Sequence, residues 1–322
     1  TKYPPDSRML TRFLDNTIEW DDTFLANESG SGTTQIGAGA IGTSENLNGV
    51  NFTDPKTGFI VGDNGIIIKL IEGGTEWQFK KGNTNRNLVK VHFLTTNVGF
   101  IIGKNHVILK TTDAGETWVK KYEDPMMNDK ILFDLTFPQS SEGWAVGEDG
   151  VVLKTEDGGD TWTQYDYSIL NDLFSVDFTD NRFGYISGER GLILRTTDGD
   201  QADPALVTWS TKVSSTLQDL NAIHFTSQNV GYCIGTNGTI LKTLDAGNSW
   251  FPMQSNTDAN LNDLVFSDQN TCFISSDDGK IIKTTNAGEI WTPINTGLSS
   301  NSLNSLFFHT NSSGYVVGDL GS

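Results

Sequence analysis

Apolar residues occur along this chain in short runs that alternate with polar positions, and glycine-rich turns separate the runs. The segment Gly58–Ile71 (GFIVGDNGIIIKLI) is typical: two apolar runs flank a Gly-Asp-Asn-Gly turn. Such runs predict antiparallel strands joined by tight hairpins. No segment places apolar residues at the 3.6-residue spacing of an amphipathic helix. The pattern therefore predicts an all-β protein with essentially no helix.

One phrase recurs six times: a glycine-aromatic pair, a strand, a turn, an apolar strand ending in Lys or Arg, and an Asp-Gly segment closed by tryptophan. The closing tryptophans are Trp77, Trp118, Trp162, Trp209, Trp250 and Trp291, with spacings of 41, 44, 47, 41 and 41 residues. A period in the low forties with several strands per unit is typical of a β-propeller, in which each repeat is one four-stranded blade. We label the strands of a blade A to D, with A innermost, and expect full blades at about 47–82, 88–123, 131–166, 172–213, 220–254 and 261–295.

The two ends of the chain supply the parts of one more blade. Residues 303–322 carry strands A and B, whereas Ser7–Trp20 aligns without gaps to strands C and D of Asn237–Trp250. We therefore predict one seven-bladed propeller domain over 1–322, closed by a composite blade with two strands from each terminus (7–20 and 303–322). Residues 21–46, rich in Gly and Ser, are interpreted as an insertion before the first full blade.

The segments Thr111–Trp118 (TTDAGETW), Thr155–Trp162 (TEDGGDTW) and Thr243–Trp250 (TLDAGNSW) resemble the Asp-box, or bacterial neuraminidase repeat. With the preceding G-[FYW]-x-x-G-x-x-G phrase, the chain is similar to the photosystem II assembly and stability factor family of seven-bladed propellers. The resemblance implies an assembly function and, in photosynthetic members, an Arg-rich basic surface. Here 22 Lys and Arg face 40 Asp and Glu, a net charge of −18. We therefore expect a relative whose setting need not be photosynthetic.

The Asp-box side chains are interpreted as structural, because Asx residues cap tight turns by accepting backbone N–H bonds and the C to D turn lies far from the propeller axis. These residues are Asp15, Asp113, Asp157, Asp198, Asp245 and Asn286. The alternative is acid and base catalysis by a ring of carboxylates. Three of the four arginines Arg86, Arg182, Arg190 and Arg195 fall in one repeat, which disfavours the three-arginine site of a sialidase. The sequence thus predicts no catalytic residue, cofactor or metal.

The alternation of strand directions places the B to C tips and the D to A links on one face, which we call the tip face. Its candidate partner-binding residues are Asp63, Asn64, Lys104, Glu148, Asp149, Glu189, Arg190, Asp277, Asp278 and Asp319. This mostly acidic ring would attract a basic partner or a divalent cation. The alternative is a solvated surface on which Asp and Asn serve turn geometry.

A second set of polar candidates lies one position before the phenylalanine of strand A. His92, Asp177 and His224 occupy this column, and strand A lines the channel of a propeller. Two His and one Asp would suit zinc or iron. The alternative, which we favour, is that these residues satisfy one another through water.

The sequence as a whole favours a monomeric, non-enzymatic protein-binding or assembly propeller that acts through its acidic tip face. We expect it to be secreted or periplasmic, with a signal peptide removed. The alternative is a carbohydrate-active protein, either a glycoside hydrolase or a glycan-binding propeller. The acidic balance argues against a nucleic acid partner, and the chain has no apolar run of the roughly 18 residues that a transmembrane helix needs.

Overall fold

The computed structural model describes residues 11–12, 43, 45–74, 76–124, 129–201, 203–295, 302–310 and 313–319. Six antiparallel sheets of four strands follow one another along this part of the chain, each with its strands in chain order. Blade 1 contains β2 (Leu47–Phe52), β3 (Gly58–Gly62), β4 (Ile67–Ile71) and β5 (Glu76–Lys80); blade 2 contains β6 (Leu88–Phe93), β7 (Gly99–Gly103), β8 (Ile108–Thr111) and β9 (Val119–Tyr122). Blade 3 contains β10 (Leu132–Gln139), β11 (Glu142–Gly147), β12 (Val152–Thr155) and β13 (Thr163–Tyr165); blade 4 contains β14 (Leu173–Phe178), β15 (Gly184–Gly188), β16 (Ile193–Thr196) and β17 (Ser210–Lys212). Blade 5 contains β18 (Leu220–Phe225), β19 (Gly231–Gly235), β20 (Ile240–Thr243) and β21 (Phe251–Met253); blade 6 contains β22 (Leu261–Phe266), β23 (Cys272–Ser276), β24 (Lys280–Thr284) and β25 (Thr292–Asn295).

A seventh sheet joins the two ends of the chain. Its described strands are β26 (Leu303–Thr310), β27 (Ser313–Gly318) and the two-residue β1 (Thr11–Arg12), in the order β1-β27-β26. Arg12 lies opposite Tyr315 in the antiparallel pair of β1 and β27. Asp15 and most of the predicted insertion at 21–46 lie outside the described residues.

The A strands of consecutive sheets pack on one another, and β26 packs on both β22 and β2. The Asn304 side-chain amide donates to the Leu47 carbonyl at 3.2 Å, and Asn262 makes the same bond to Leu303 at 3.0 Å. The contact between β26 and β2 therefore has the same side-chain bond as the contact between β22 and β26.

The only helical segments within the described residues are three-residue 3-10 turns. The prediction of an all-β propeller with four-stranded antiparallel blades is thus confirmed. No helix in the described part of the chain is long and apolar enough to cross a membrane.

The core lies between blades, where the aromatic residue of one B strand packs on the next blade. Phe59 of β3 stacks on Phe93 at 4.4 Å between ring centroids and meets the edge of Trp118 at 6.2 Å. Gly115, with φ of +73°, lies beneath Phe59, and a Cβ there would come within 2.2 Å of the ring. The repeated box glycine is therefore required both by its backbone conformation and by close packing. Cys233 and Cys272 are free and buried.

Candidate functional site

The tips and the D to A links do share one face, because each tip is bonded to the link that enters its own blade. In all seven sheets the first tip residue donates its backbone N–H to the carbonyl of the residue before strand A, at 2.8 to 3.0 Å. These bonds are Asp63 to Asn46, Lys104 to Asn87, Glu148 to Ile131, Glu189 to Asp172, Thr236 to Asp219, Asp277 to Asn260 and Asp319 to Ser302. The tip face is therefore held together by backbone bonds at every blade.

A second set of bonds connects the tips to the neighbouring blades. The backbone N–H of Asn64 donates to Asn87 Oδ1 at 3.1 Å, and that of Asp149 donates to Asp172 Oδ1 at 2.9 Å. Arg190 to Asp219 and Asn237 to Asn260 repeat the pattern at 2.9 and 3.1 Å. The donating residues have φ between 52° and 56°, a left-handed conformation that Asn and Asp tolerate better than most residues.

Several tip carboxylates accept hydrogen bonds within the face. Asp63 accepts from the side chains of Asn46 and Asn48, Glu148 from the Ile131 N–H, Asp277 from the Asn260 N–H, Asp278 from Ser276 and Lys280, and Asp319 from Asn304. The basic tip residues are paired as well: Lys104 with Asp129 at 3.0 Å and Arg190 with Glu189 at 3.1 Å. Part of the acidic ring therefore serves turn geometry. Asp149, whose side chain is 66% exposed and pairs with Lys130 at 2.7 Å, projects more freely.

The tip of blade 2 departs from the others in a way that the sequence analysis missed. Asn105 and His106 are buried there with φ of 61° and 53°, and His106 stands where blades 1 and 3 have a glycine. Burial lowers the pKa of His106. The signal in the sequence was the missing tip glycine, since Lys104-Asn105-His106 replaces the usual x-x-Gly.

The three channel candidates do not form one cluster. Asp177 Oδ2 lies 3.3 Å from His224 Nδ1 and accepts the Phe225 N–H at 2.7 Å. His92 belongs to blade 2, whereas Asp177 and His224 belong to blades 4 and 5. Among the described residues no group of three or more His, Cys, Asp or Glu side chains could hold a metal ion.

The strongest polar contacts in the channel involve residues that the sequence analysis did not single out. Asp134 pairs with Lys90 and accepts the Ser175 hydroxyl at 2.7 Å and the Val176 N–H at 3.0 Å. Asp263 of blade 6 accepts the corresponding two bonds from the closing sheet, from the Ser305 hydroxyl at 3.0 Å and from the Leu306 N–H at 2.9 Å. These side chains stand two positions before the column of His92, and the alternation of a strand was the signal that could have found them.

The channel charges shift the pKa values of one another. Burial opposes the charged form of Lys90, but the carboxylates of Asp134, Asp263 and Asp177 outweigh it and raise the pKa of the ammonium. Burial raises the pKa of Asp263. Burial, assisted by Lys90, lowers the pKa of His92 to about 4. For His224 the effect of burial is outweighed by the hydrogen bond that its ring donates to Asp177, which raises the pKa of the imidazole.

We predict that the two channel histidines titrate on opposite sides of 6.5. By NMR, the His92 ring should protonate near pH 4 and the His224 ring above 6.5. The stabilisation linked to His224 is present below pH 6.5 and is lost as the pH rises through its folded pKa, whereas that linked to neutral His92 is lost as the pH falls towards 4. Asp177→Asn should lower the His224 midpoint and leave that of His92 in place. Coincident midpoints in the wild type would contradict this geometry.

The Asp-box carboxylates accept hydrogen bonds from their own turns. Asp113 accepts the Thr117 N–H at 2.9 Å, the Thr117 hydroxyl at 2.6 Å and the Thr111 hydroxyl at 2.8 Å. The same bonds recur at Asp157 and Asp245, while Asn286 accepts the Ile290 N–H at 3.0 Å. In blade 4 the chain has extra residues between Asp198 and Trp209. There the N–H and the hydroxyl of Thr208 donate to Asp198 at 3.0 and 2.8 Å, in place of a residue four positions after the aspartate. The box turn also contacts the preceding blade: the Tyr232 hydroxyl donates to the Ala287 carbonyl at 2.7 Å.

We predict that Asp113→Asn makes the propeller less sensitive to acid. The hydroxyl and the N–H of Thr117 lower the pKa of Asp113 to about 2, so its stabilisation is present above about pH 4 and is lost as the pH falls through 2. Asn retains an acceptor oxygen, as Asn286 does naturally. In urea unfolding, the variant should lose less stability than the wild type between pH 5 and pH 2. Asn286→Asp is the matched control and should increase the loss.

Comparison with known proteins finds one matching family and several similar solved structures. The family model described as photosynthesis system II assembly factor YCF48 matches residues 35–122, 122–204 and 201–294. A solved structure titled YCF48 bound to D1 peptide is 18% identical, with a TM-score of 0.69, and the alignment covers 87% of this chain and 92% of that one. YCF48 from Cyanidioschyzon merolae is 20% identical, with a TM-score of 0.68 and coverage of 87% and 94%.

The fold is also similar to that of the GH74 enzyme of Niastella koreensis, at 14% identity and a TM-score of 0.67, with coverage of 86% of this chain and 51% of that chain. A search of curated proteins finds no match. At these identities the likeness to solved structures shows the fold alone, whereas the family match covers most of the chain.

Proposed function

Because this chain belongs to the photosystem II assembly factor YCF48 family, we propose that it is a non-enzymatic protein-binding propeller that holds an assembly partner on its tip face. A solved member of the family holds a D1 peptide, which makes a peptide of a partner protein the first class of ligand to consider. We propose further that the protein works as a monomer outside the cytoplasm, in the periplasm or in the secreted state.

The observation that carries this proposal is the set of backbone bonds that joins every tip to its own link. A surface held in place at seven positions loses little conformational entropy when a partner binds, which favours affinity. The exposed acids of this face, among them Asp149 and Asp258, would attract a basic partner and speed its association.

The closing sheet belongs to the same proposal. We propose that residues 7–20 supply its third and fourth strands, so that the propeller has seven blades and both termini hold the ring together. The pairing of Arg12 with Tyr315 supports this, because Lys242 pairs with Tyr232 at the corresponding position of blade 5. Deletion of residues 1–20 should then lower the melting temperature and the hydrogen-exchange protection of β27. Unchanged protection would contradict the composite blade.

The binding surface is tested by reversing charge on one face at a time. The tip variant carries Asp149→Lys, Glu189→Lys and Asp258→Lys. Within the described residues these three carboxylates accept no hydrogen bond from a backbone N–H. The control carries Glu156→Lys, Asp200→Lys and Glu289→Lys, the same change in charge on the opposite face, at the ends of the C strands and in the box turns. The ligands are a D1 peptide and proteins captured from an extract of the source cells.

We expect the tip variant to lose roughly tenfold or more in affinity, about 1.4 kcal/mol, while the control stays close to the wild type. Equal losses in both variants would overturn the tip face as the binding surface. Retention of polysaccharides, with no protein or peptide partner, would favour the carbohydrate-active alternative.

A further inference from the structure

Two leucines on the tip face are almost fully exposed. Leu170 is 88% exposed and Leu217 is 84% exposed, the highest values among the large apolar side chains of the described residues. Val213, on the same link as Leu217, is 76% exposed. A single exposed leucine is ordinary on a protein surface, so the argument depends on how these two are placed.

Leu170 and Leu217 occupy equivalent positions at neighbouring blade junctions. In four blades the tip glycine has a positive φ and lies so close to the carbonyl of the next link that a Cβ would come within 1.9 to 2.2 Å of the oxygen. The four contacts are Gly65 with Thr84, Gly150 with Ile169, Gly191 with Thr216, and Gly238 with Thr257. The residue that follows the contact is exposed in each case: Asn85, Leu170, Leu217 and Asp258. The close contact between tip glycine and link therefore leaves the next residue of the link exposed at each of these four junctions. At two adjacent junctions that residue is leucine.

The same two junctions carry a carboxylate where the others carry an amide. The residue that accepts the tip N–H is Asp172 after Leu170 and Asp219 after Leu217. At the junctions of Asn85 and Asp258 it is Asn87 and Asn260. Because both residue types accept this bond, turn geometry does not require the charge.

The tips beside these leucines add Asp149 and Glu189 to the two link carboxylates. The basic neighbours, Lys130 and Arg190, are each paired with one of these acids. The sector thus presents two apolar side chains in a negative field.

Building on the proposed function, we propose that this sector, comprising Leu170, Leu217, Val213 and the carboxylates Asp149, Asp172, Glu189 and Asp219, docks an extended segment of a partner protein. The segment carries two apolar side chains that cover the leucines, with Lys or Arg beside them. An acidic or uniformly polar segment does not fit this surface.

The proposal is tested with a randomised displayed-peptide library selected on the full chain. We expect enriched peptides to combine apolar residues with Lys or Arg. Their affinity should fall about 30-fold or more in the double variant Leu170→Ser, Leu217→Ser, the loss typical of interface hot spots. The matched control is Asn85→Ser, which changes the equivalent position of another junction and should keep the affinity of the wild type.

A second variant removes the charge of the two link carboxylates and keeps their hydrogen bonds. Asp172→Asn with Asp219→Asn reproduces the amide of the other junctions and retains the acceptor for the tip N–H, so the melting temperature should not change. Binding of the selected peptides should weaken, and it should depend less on ionic strength than in the wild type.

The outcomes distinguish this inference from the proposed function. If the charge-reversed tip variant loses partner binding while the leucine variant does not, the tip face is the binding surface but Leu170 and Leu217 do not dock the partner. If neither variant affects binding, both proposals fail. Enrichment of acidic peptides, or peptides insensitive to the leucine variant, would also overturn the inference.

Discussion

Replacement of Trp144 by alanine should lower the free energy of unfolding by about 3–5 kcal/mol, the range for large aromatic side chains removed from a core. Trp144 is completely buried. Its ring stacks on Phe178 at 5.4 Å, meets the edge of Trp209 at 5.9 Å, and lies 5.1 Å from the Lys154 ammonium. One truncation therefore opens the interface between blades 3 and 4, where the lost contacts have no substitute.

The measurement is the urea dependence of tryptophan fluorescence and circular dichroism. Trp144→Phe is the graded control, because Phe59 and Phe100 occupy the same position of blades 1 and 2, and it should cost less than half as much. Trp77→Ala, at a partly buried box position, should also cost less than Trp144→Ala. A loss below about 1 kcal/mol for Trp144→Ala would be outside the range for core aromatics and would contradict the packing.

Asp134→Ala should have the second largest effect, a loss of about 2–4 kcal/mol in the free energy of unfolding. The carboxylate is almost completely buried and accepts the Val176 N–H and the Ser175 hydroxyl. Without it these donors lose their acceptor, and Lys90 loses its ion pair. Because Lys90 is itself 39% exposed, most of the cost comes from the buried donors.

A double-mutant cycle separates the contribution of the Lys90 ion pair from that of the buried hydrogen-bond donors. Lys90→Met alone should be milder, since water reaches part of the ammonium. The pair Asp134→Ala, Lys90→Met should cost less than the sum of its two single changes, because the second change removes a charge that the first left unpaired. Strict additivity in urea unfolding would show that the ion pair contributes nothing to stability.

The channel shows what a strand pattern alone left out, because residues two positions before the column of His92 face it as well. The pairing of strands A and B shifts register near the start of strand A in every sheet, for example between Leu47 and Gly49 in blade 1 and between Leu88 and Lys90 in blade 2. The shift precedes Lys90, Asp134 and Asp263, so each shares a face with the residue two positions later, in the column of His92. Which of these side chains pair across the blades became visible only in the tertiary structure.

The tip face was likewise predicted only in part from the sequence. The sequence correctly placed the tips and the links on one face, because alternating strand directions leave no other arrangement. It could not say that Asp63 and Asp277 accept bonds from their own links, since those partners are 17 residues away in each case. It also gave no reason to single out Leu170 and Leu217, whose exposure depends on the contact between a tip glycine and the next link.

By itself the sequence determined the blades of this protein, their strands, the box turns and the face on which the tips gather, because each of these follows from local periodicity and turn chemistry repeated along the chain. Only the tertiary structure decided which charges meet across the channel, which acids remain available to a partner and where apolar side chains stand exposed. Those properties depend on contacts between neighbouring blades, about 40 residues apart in sequence, and no local pattern records them.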